Sequence, residues 1–326
     1  MIRFAKPEDI PNIMKFIDEH WKKNHILARD ENFFKYFCQT ETDRVNFVIA
    51  EDNNGVIGAI QGFIPYATNN RDIMLALWKV QDMSIPMLGI RLMDIYKNAD
   101  VRIIASTGIN PKTTIPLYKY LGYTTGKMIH WYRLNKNCEY KIAVINDKKI
   151  LPAKNSAISW REFSDFDEMI NFMDMEKYKN SNPKPYKENW YIKRRYFDHP
   201  IYKYHAFGIE QDKKVRAVFF YRIQECNNSR VLKLVDCIGD YNDFTKIDGV
   251  LDELLNRYQA EYVDIYEVGL KDEIMEQAGF MKVEDTENII PNYFAPYEAK
   301  NIDIYYCTTD KEIVLFNGDG DQDRPS

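Results

Sequence analysis

The stretch from Ala99 to Asn135 constrains the fold more than any other part of this 326-residue chain. Val101 to Thr107 is an apolar run that reads as a buried strand. Gly108, Ile109, Asn110 and Pro111 follow. The Asn can cap exposed amides and the Pro suits a first helical turn, so a helix is expected from Thr113 to Leu121. Gly122 stops it, and a second strand ends near Tyr132. The pattern is that of an α/β domain.

The preceding residues extend it. Met1 to Ala5 reads as a short strand, and Ile10, Ile13, Met14 and Ile17 recur at helical spacing. An aromatic-rich helix is expected around Phe33 to Cys38, after a loop from Trp21 to Asp30. Phe47 to Glu51 and Val56 to Phe63 face each other across Asp52-Asn53-Asn54-Gly55, a hairpin signal because Asn-Gly tolerates positive φ. Met74 to Val80 reads as a buried strand, and Ser84 to Met93 as a turn entering a helix that reaches Tyr96.

This order, closing on Leu117-Tyr118-Lys119-Tyr120-Leu121-Gly122-Tyr123, resembles a Gcn5-related N-acetyltransferase (GNAT) domain over residues 1–135. It returns over residues 157–308. Ala157 to Phe163 and Asp165 to Met173 echo the first strand and helix. Tyr204 to Ile209 with Val215 to Ile223 echoes the hairpin, and Val231 to Ile238 the fourth strand. Ile247 to Tyr258 reads as an amphipathic helix, Tyr262 to Val268 as a strand, and Asp272 to Ala278 as a helix stopped by Gly279. The expected fold class is α/β: two tandem GNAT-like acyl-CoA N-acyltransferase domains, each a mixed, mostly antiparallel sheet flanked by helices. The expected divisions are a catalytic domain at 1–135, a polar connector at 136–156 and a degenerate second domain with an acidic tail at 157–326. Within the connector, Tyr140 to Ile145 has the pattern of a strand.

The resemblance also implies a site. In GNAT domains a Gln/Arg-x-x-Gly-x-Gly/Ala loop wraps the diphosphate of coenzyme A at a helix start, where unpaired amides and the helix dipole favour anions. The register here is Ser84-Ile85-Pro86-Met87-Leu88-Gly89, which keeps only the last Gly; Ser84 stands in the Gln/Arg place and Met87 in the first Gly place. Cofactor contacts are accordingly expected from Met87, Leu88, Gly89, Ile90 and Arg91, from backbone amides around Trp78 and Val80, and from Asn110. Tyr118 is the expected acid for the departing thiolate, with Tyr120 and Tyr123 able to fill that role. His25 is the preferred base and Asp82 the alternative, while His20, Trp21 and His130 are expected to border an amine acceptor.

The second copy departs from the first where chemistry would occur. Asp240 and Asp243 stand where a diphosphate would be cradled, and no tyrosine matches Tyr118, so this copy is expected to be noncatalytic. In the tail, Asp319, Asp321 and Asp323 have the spacing that starts a calcium loop but lack its Gly and closing Glu, so no metal is expected. Asp321, Asp323 and Arg324 are counted instead with the acceptor contacts. The tail, with His20-Trp21 and His25, Trp78-Lys79-Val80 and the run from His130 to Asn135, resembles tandem GNAT-like proteins associated with bacterial surface-polysaccharide synthesis. The acceptor so implied is an amino sugar, free or nucleotide-linked. Ending the chain at Asn317 is expected to weaken acceptor binding and leave stability unchanged.

A net charge of −5 argues against nonspecific nucleic-acid binding, and Lys193-Arg194-Arg195 reads as a solvated helix face. No apolar run is long enough to span a membrane and no leader is evident, so a cytoplasmic protein is expected. Five cysteines without CxxC spacing fit a reduced compartment and give no zinc pattern. The leading reading is acetyl transfer from acetyl-CoA to a small-molecule amine, without a covalent enzyme intermediate. Its rivals are an aminoacyl transferase fed by charged transfer RNA, which the acidic balance disfavours, and a noncatalytic binding protein whose loop decayed at Met87.

Overall fold

The computed structural model describes residues 1–68, 71–81, 85–97, 99–155, 157–320 and 323–325. Two compact units form: Met1–Thr125 with Tyr306–Lys311 and Gly320–Ser326, and Gly126–Tyr305 with Glu312–Asp319.

The first unit runs β1 (Ile2–Ala5), α1 (Ile10–His20), α2 (Ile26–Arg29), α3 (Glu31–Cys38), β2 (Val45–Glu51), β3 (Ile57–Pro65) and β4 (Asp72–Val80). Then come α4 (Leu88–Lys97), β5 (Ile103–Thr107), α5 (Thr114–Tyr120) and β6 (Thr124–Lys127). The stripe Ile10, Ile13, Phe16 and Ile17 is the buried face of α1. The β2–β3 turn is closed by Asp52 Oδ1, which accepts from the amides of Asn54 (2.8 Å) and Val56 (2.9 Å).

The second unit holds β7 (Ile129–Leu134), β8 (Trp160–Phe163), α6 (Phe166–Phe172), α7 (Met175–Asn180), α8 (Asn189–Ile192), β9 (His205–Gln211) and β10 (Lys214–Cys226). It continues with β11 (Ser229–Gly239), α9 (Asp248–Tyr258), β12 (Ala260–Val268), α10 (Asp272–Gln277) and β13 (Met281–Lys282). The chain closes with β14 (Tyr305–Thr308) and β15 (Leu315–Phe316).

Among the described residues the sheet orders are β1-β2-β3-β4-β5-β14-β6 and β13-β7-β12-β11-β10-β9-β8. The second repeats the first, with β8 to β12 in the places of β1 to β5, and each contains a parallel pair, β4 with β5 and β11 with β12. One strand is exchanged. β7, which follows β6 in the chain, pairs with β12 and β13, while β14 pairs with β5. The sequence pattern places β7 at the close of the first domain; the sheet gives it to the second, where Trp131 and Tyr132 are buried and the Trp131 indole donates to Glu267 (2.9 Å).

Residues 136–156 are also part of the second unit rather than a solvated connector. The buried Glu261 carboxylate accepts from the amides of Lys141 (2.7 Å), Ile142 (2.9 Å) and Ala143 (3.0 Å), which prevents Tyr140 to Ile145 from forming a strand. In Lys193-Arg194-Arg195, Lys193 is exposed and Arg194 half-buried, so only part of the run is a solvated face. Arg195 is buried, its guanidinium over the Tyr196 and Tyr204 rings, and it donates to the Gly318 carbonyl.

Candidate functional site

In the first unit β4 and β5 pair in parallel through only three positions, Asp72↔Ile103 to Met74↔Ala105. Beyond Met74 the strands part. On its other edge β4 bulges: Gln61 faces Trp78 and Gly62 faces Ala76, leaving Leu77 unpaired at φ 43°. The Ser106 hydroxyl donates to the Leu75 carbonyl (3.2 Å) where the parting begins. From Leu75 to Val80 the edge of β4 on the β5 side has no strand partner among the described residues.

Tyr118 of α5 packs beside this edge. Its ring lies 5.3 Å from that of Trp78 and 5.5 Å from that of Tyr123. The phenol is buried beside the Ser106 hydroxyl and the Cys307 thiol, and burial, then Cys307 and Tyr123, push its pKa well above the ordinary value. It is therefore a neutral hydrogen-bond donor at any physiological pH. Tyr120 is exposed, and burial raises Tyr123 as well. Nothing in the sequence pattern marked Ser106 or Cys307, which reach the phenol only through the β5–β14 pairing, Cys307↔Ser106.

The start of α4 meets β4 closely. A Cβ on Gly89 would come within 3.1 Å of Val80 Cγ2 and 3.3 Å of the Trp78 indole, so this glycine lets the helix pack closely on the strand. Met87 has φ 59°, the left-handed conformation for which glycine is suited, and its side chain is exposed. Leu88 is buried and Ile90 half-buried, whereas Arg91 is exposed on the first turn, its amide bonded to the Met87 carbonyl (3.0 Å). Among the described residues the buried Trp78 Nε1 beside this turn has no hydrogen-bond partner. That orphaned donor, the open β4 edge and the first-turn amides of a ten-residue helix fit a ligand with amide carbonyls and phosphates, as coenzyme A has. Asn110 spends its Oδ1 on the amides of Lys112 (2.9 Å) and Thr113 (3.2 Å), capping the approach to α5.

The two histidines at and after the end of α1 separate in role. His25 caps α2, its Nδ1 accepting from the Leu27 amide (3.2 Å), and burial with nearby Lys22 and Arg29 lowers its pKa to about 4. Both properties disfavour it as a base. His20, packed edge-on to Phe16, instead lines a cavity of about 300 Å³ with Glu51, Gln81, Ile85 and Leu88. Trp21, next in sequence, is exposed. Asp82, Ser84 and Asp321 lie outside the described residues.

The described tail residues are buried or half-buried rather than solvated. Asp323 is 1% exposed, Arg324 lies over the Phe37 ring (4.6 Å) rather than open to a phosphate, and Gly320 sits so close to Thr107 at the end of β5 that a Cβ would collide with its hydroxyl. In the second unit the corresponding strands also part early, after Lys233↔Asp264. There the gap is filled by β15, paired to β12 at Glu267↔Phe316 and Val268↔Leu315, and by Gly318, whose amide donates to Val235 of β11 (2.8 Å). Asp319 then pairs with the buried Lys187 (2.7 Å), which also holds Asp236. Asp240 and Asp243 are occupied too, the first capping Asn242 and the second paired with Arg216 and Lys246. His130 belongs to the second unit, on β7.

A sheet whose parallel pair parts beside a helix start, present twice in one chain, is the GNAT fold in tandem. A GCN5-related N-acetyltransferase from Anabaena variabilis shares it, with a TM-score of 0.59 at 11% identity over 94% of this chain and 72% of that one. A conserved protein of unknown function from Enterococcus faecalis V583 matches with a TM-score of 0.55 at 10% identity, over 94% and 71% of the two chains. No protein-family model matches the sequence, and no curated protein does. Among the described residues no helix is long and apolar enough to cross a membrane.

Proposed function

We propose that the first unit is an acyl-CoA-dependent N-acyltransferase and the second a noncatalytic copy. The observation that carries this is the open β4 edge beyond Met74, with the Trp78 donor at one end and Tyr118 beneath it. The diphosphate would lie on the amides from Met87 to Ile90, with Arg91 as counter-charge, and the pantetheine arm along β4 from Ala76 to Val80. A neutral amine attacks the thioester carbon, the C–S bond breaks, and the thiolate leaves toward the Tyr118 hydroxyl, which donates a hydrogen bond to the sulfur. The proton lost by the amine goes to a base; His20, lining the cavity at Gln81 and Leu88, replaces His25 in that role, and Asp82 stays the alternative. The donor is acetyl-CoA and the acceptor an amino sugar of a cytoplasmic pathway to surface polysaccharide. Those finer assignments rest on the sequence resemblance of the tail and of His20-Trp21.

Calorimetry with acetyl-CoA tests the donor. Arg91→Glu, on an exposed side chain, is expected to weaken binding about tenfold with an unchanged melting temperature. Gly89→Asp would crowd Val80 and Trp78 whatever the ligand, and so discriminates nothing. Absence of acetyl-CoA binding by the unmodified protein would remove the acyltransferase reading.

A further inference from the structure

The second unit carries a polar constellation that acyl transfer does not use. His130 is nearly buried, stacked on Tyr266 with ring centroids 3.8 Å apart, and its Nε2 lies 2.9 Å from Asp264 Oδ2. Asp264 is fully buried. Desolvation alone would raise its pKa, but Lys233 and His130 hold it below the usual carboxylate range, so it is ionised and can only accept. The hydrogen is therefore on Nε2. Burial lowers the pKa of His130, which leaves the ring neutral and Nδ1 a bare acceptor. Lys233 donates to the same carboxylate and to Asn292 Oδ1 (2.8 Å), fixing the pair from behind.

His130 lines a cavity of about 190 Å³ whose other polar walls are Lys127, Glu284, Thr286, Asn301 and Asp303. Two of these are spent. Thr286 Oγ1 donates to the Val283 carbonyl (3.1 Å), and the Asn301 amide is held between the Asn288 carbonyl and the Ile290 amide (2.8 Å each). Lys127 is paired with both Glu284 (3.2 Å) and Asp303 (3.3 Å). What faces a ligand is a set of acceptors: Nδ1 of His130, which has no protein partner among the described residues, and the outer lone pairs of two carboxylates that share one lysine. Lys127 and the Asn301 amide each keep one N–H, but the acceptors outnumber them, and two carboxylates against one lysine leave a surplus negative charge that selects a cation able to donate. The volume corresponds to about six waters at ~30 Å³ each, enough for a small amine and too little for a nucleotide.

We propose that this cavity binds the ammonium group of a small amine, which donates to Nδ1 of His130 while Glu284 and Asp303 balance its charge. This goes beyond the acyl-transfer reading, because it concerns the second unit and its test contains no acyl donor; either can fail alone. The experiment is a titration of the full chain, labelled with nitrogen-15 at histidine, with glucosamine at neutral pH. Glucose, which carries a hydroxyl in place of the ammonium, is the control. A saturable shift of the His130 Nδ1 resonance with glucosamine and none with glucose is expected. Asp303→Asn and Glu284→Gln, both on exposed side chains, should each weaken that binding about tenfold without unfolding the chain. No saturable shift with glucosamine, an equal response to glucose, or full affinity in both variants would overturn the proposal.

Discussion

Tyr118 and Glu267 show how burial gives single residues properties that composition does not. Tyr118→Phe removes a hydroxyl that meets Ser106 and Cys307, so stability should fall by about 1 kcal/mol. Turnover, followed as thiol release, should fall by roughly 10²-fold or more if the phenol stabilises the leaving sulfur. Wild-type turnover would reduce Tyr118 to packing. Glu267 on β12 is buried, and desolvation raises its pKa to about 7 although the Trp131 indole and the Leu270 amide lower it. The folded pKa lies above the unfolded one, so this group's contribution is fully present below the unfolded value of 4.5 and is lost as pH rises through about 7. Between those limits urea stability should decline by about 3 kcal/mol on this account. Trp131 fluorescence should titrate over the same range; Glu267→Gln should flatten both curves, and a curve that keeps its slope would contradict the assignment. Met87 supplies a contrast, since Met87→Gly relieves a left-handed conformation and should raise stability by about 0.5–1 kcal/mol.

Elements differ in how far local pattern determines them. The β2–β3 hairpin, α1, α4 and α5 were legible because their signals, turn residues, helical spacing and a capping Asn110, are carried by near neighbours in sequence. The parting of β4 from β5 was not legible, since a bulge at Leu77 depends on the register against β3. The tail illustrates the same limit. Ile313 to Phe316 is too apolar to trail in water, and Leu315 and Phe316 form a strand, yet the burial of Asp319 against Lys187 is set by residues far apart in the chain. The expectation that ending the chain at Asn317 leaves stability unchanged is therefore corrected. That truncation removes the Gly318 bond to Val235 and one carboxylate partner of a buried lysine, while Asp236 remains. The loss should be about 3 kcal/mol, read as a lower urea midpoint. An unchanged midpoint would mean the Lys187 pair contributes nothing net.

The whole chain is two copies of one sheet order, and their differences make the copies unequal. The repeat was legible from recurring strands and helices, but the strand exchange was not: His130 to Leu134 has the same pattern whichever sheet receives it, and only pairing with β12 decides. A fragment of residues 136–326 lacks β7, and with it the strand between β12 and β13. A fragment of residues 1–135 lacks β14, between β5 and β6, so neither piece is a sound vehicle for binding tests. The decisive contrast is therefore measured on the intact protein. In the second unit β15 and Gly318 hydrogen-bond to both β12 and β11 and use the polar groups that the first unit leaves along β4. An acyl-CoA arm entering the second gap would have to displace Phe316, which is fully buried against Phe244 and Tyr241, and then break the Asp319–Lys187 pair. Removing one partner of such a buried pair costs about 3–5 kcal/mol, roughly 10²–10³-fold or more in affinity. Titration calorimetry should accordingly give one acetyl-CoA per chain, and that one should be weakened by Arg91→Glu. Two equivalent sites, or a single site indifferent to Arg91, would place the donor elsewhere than β4.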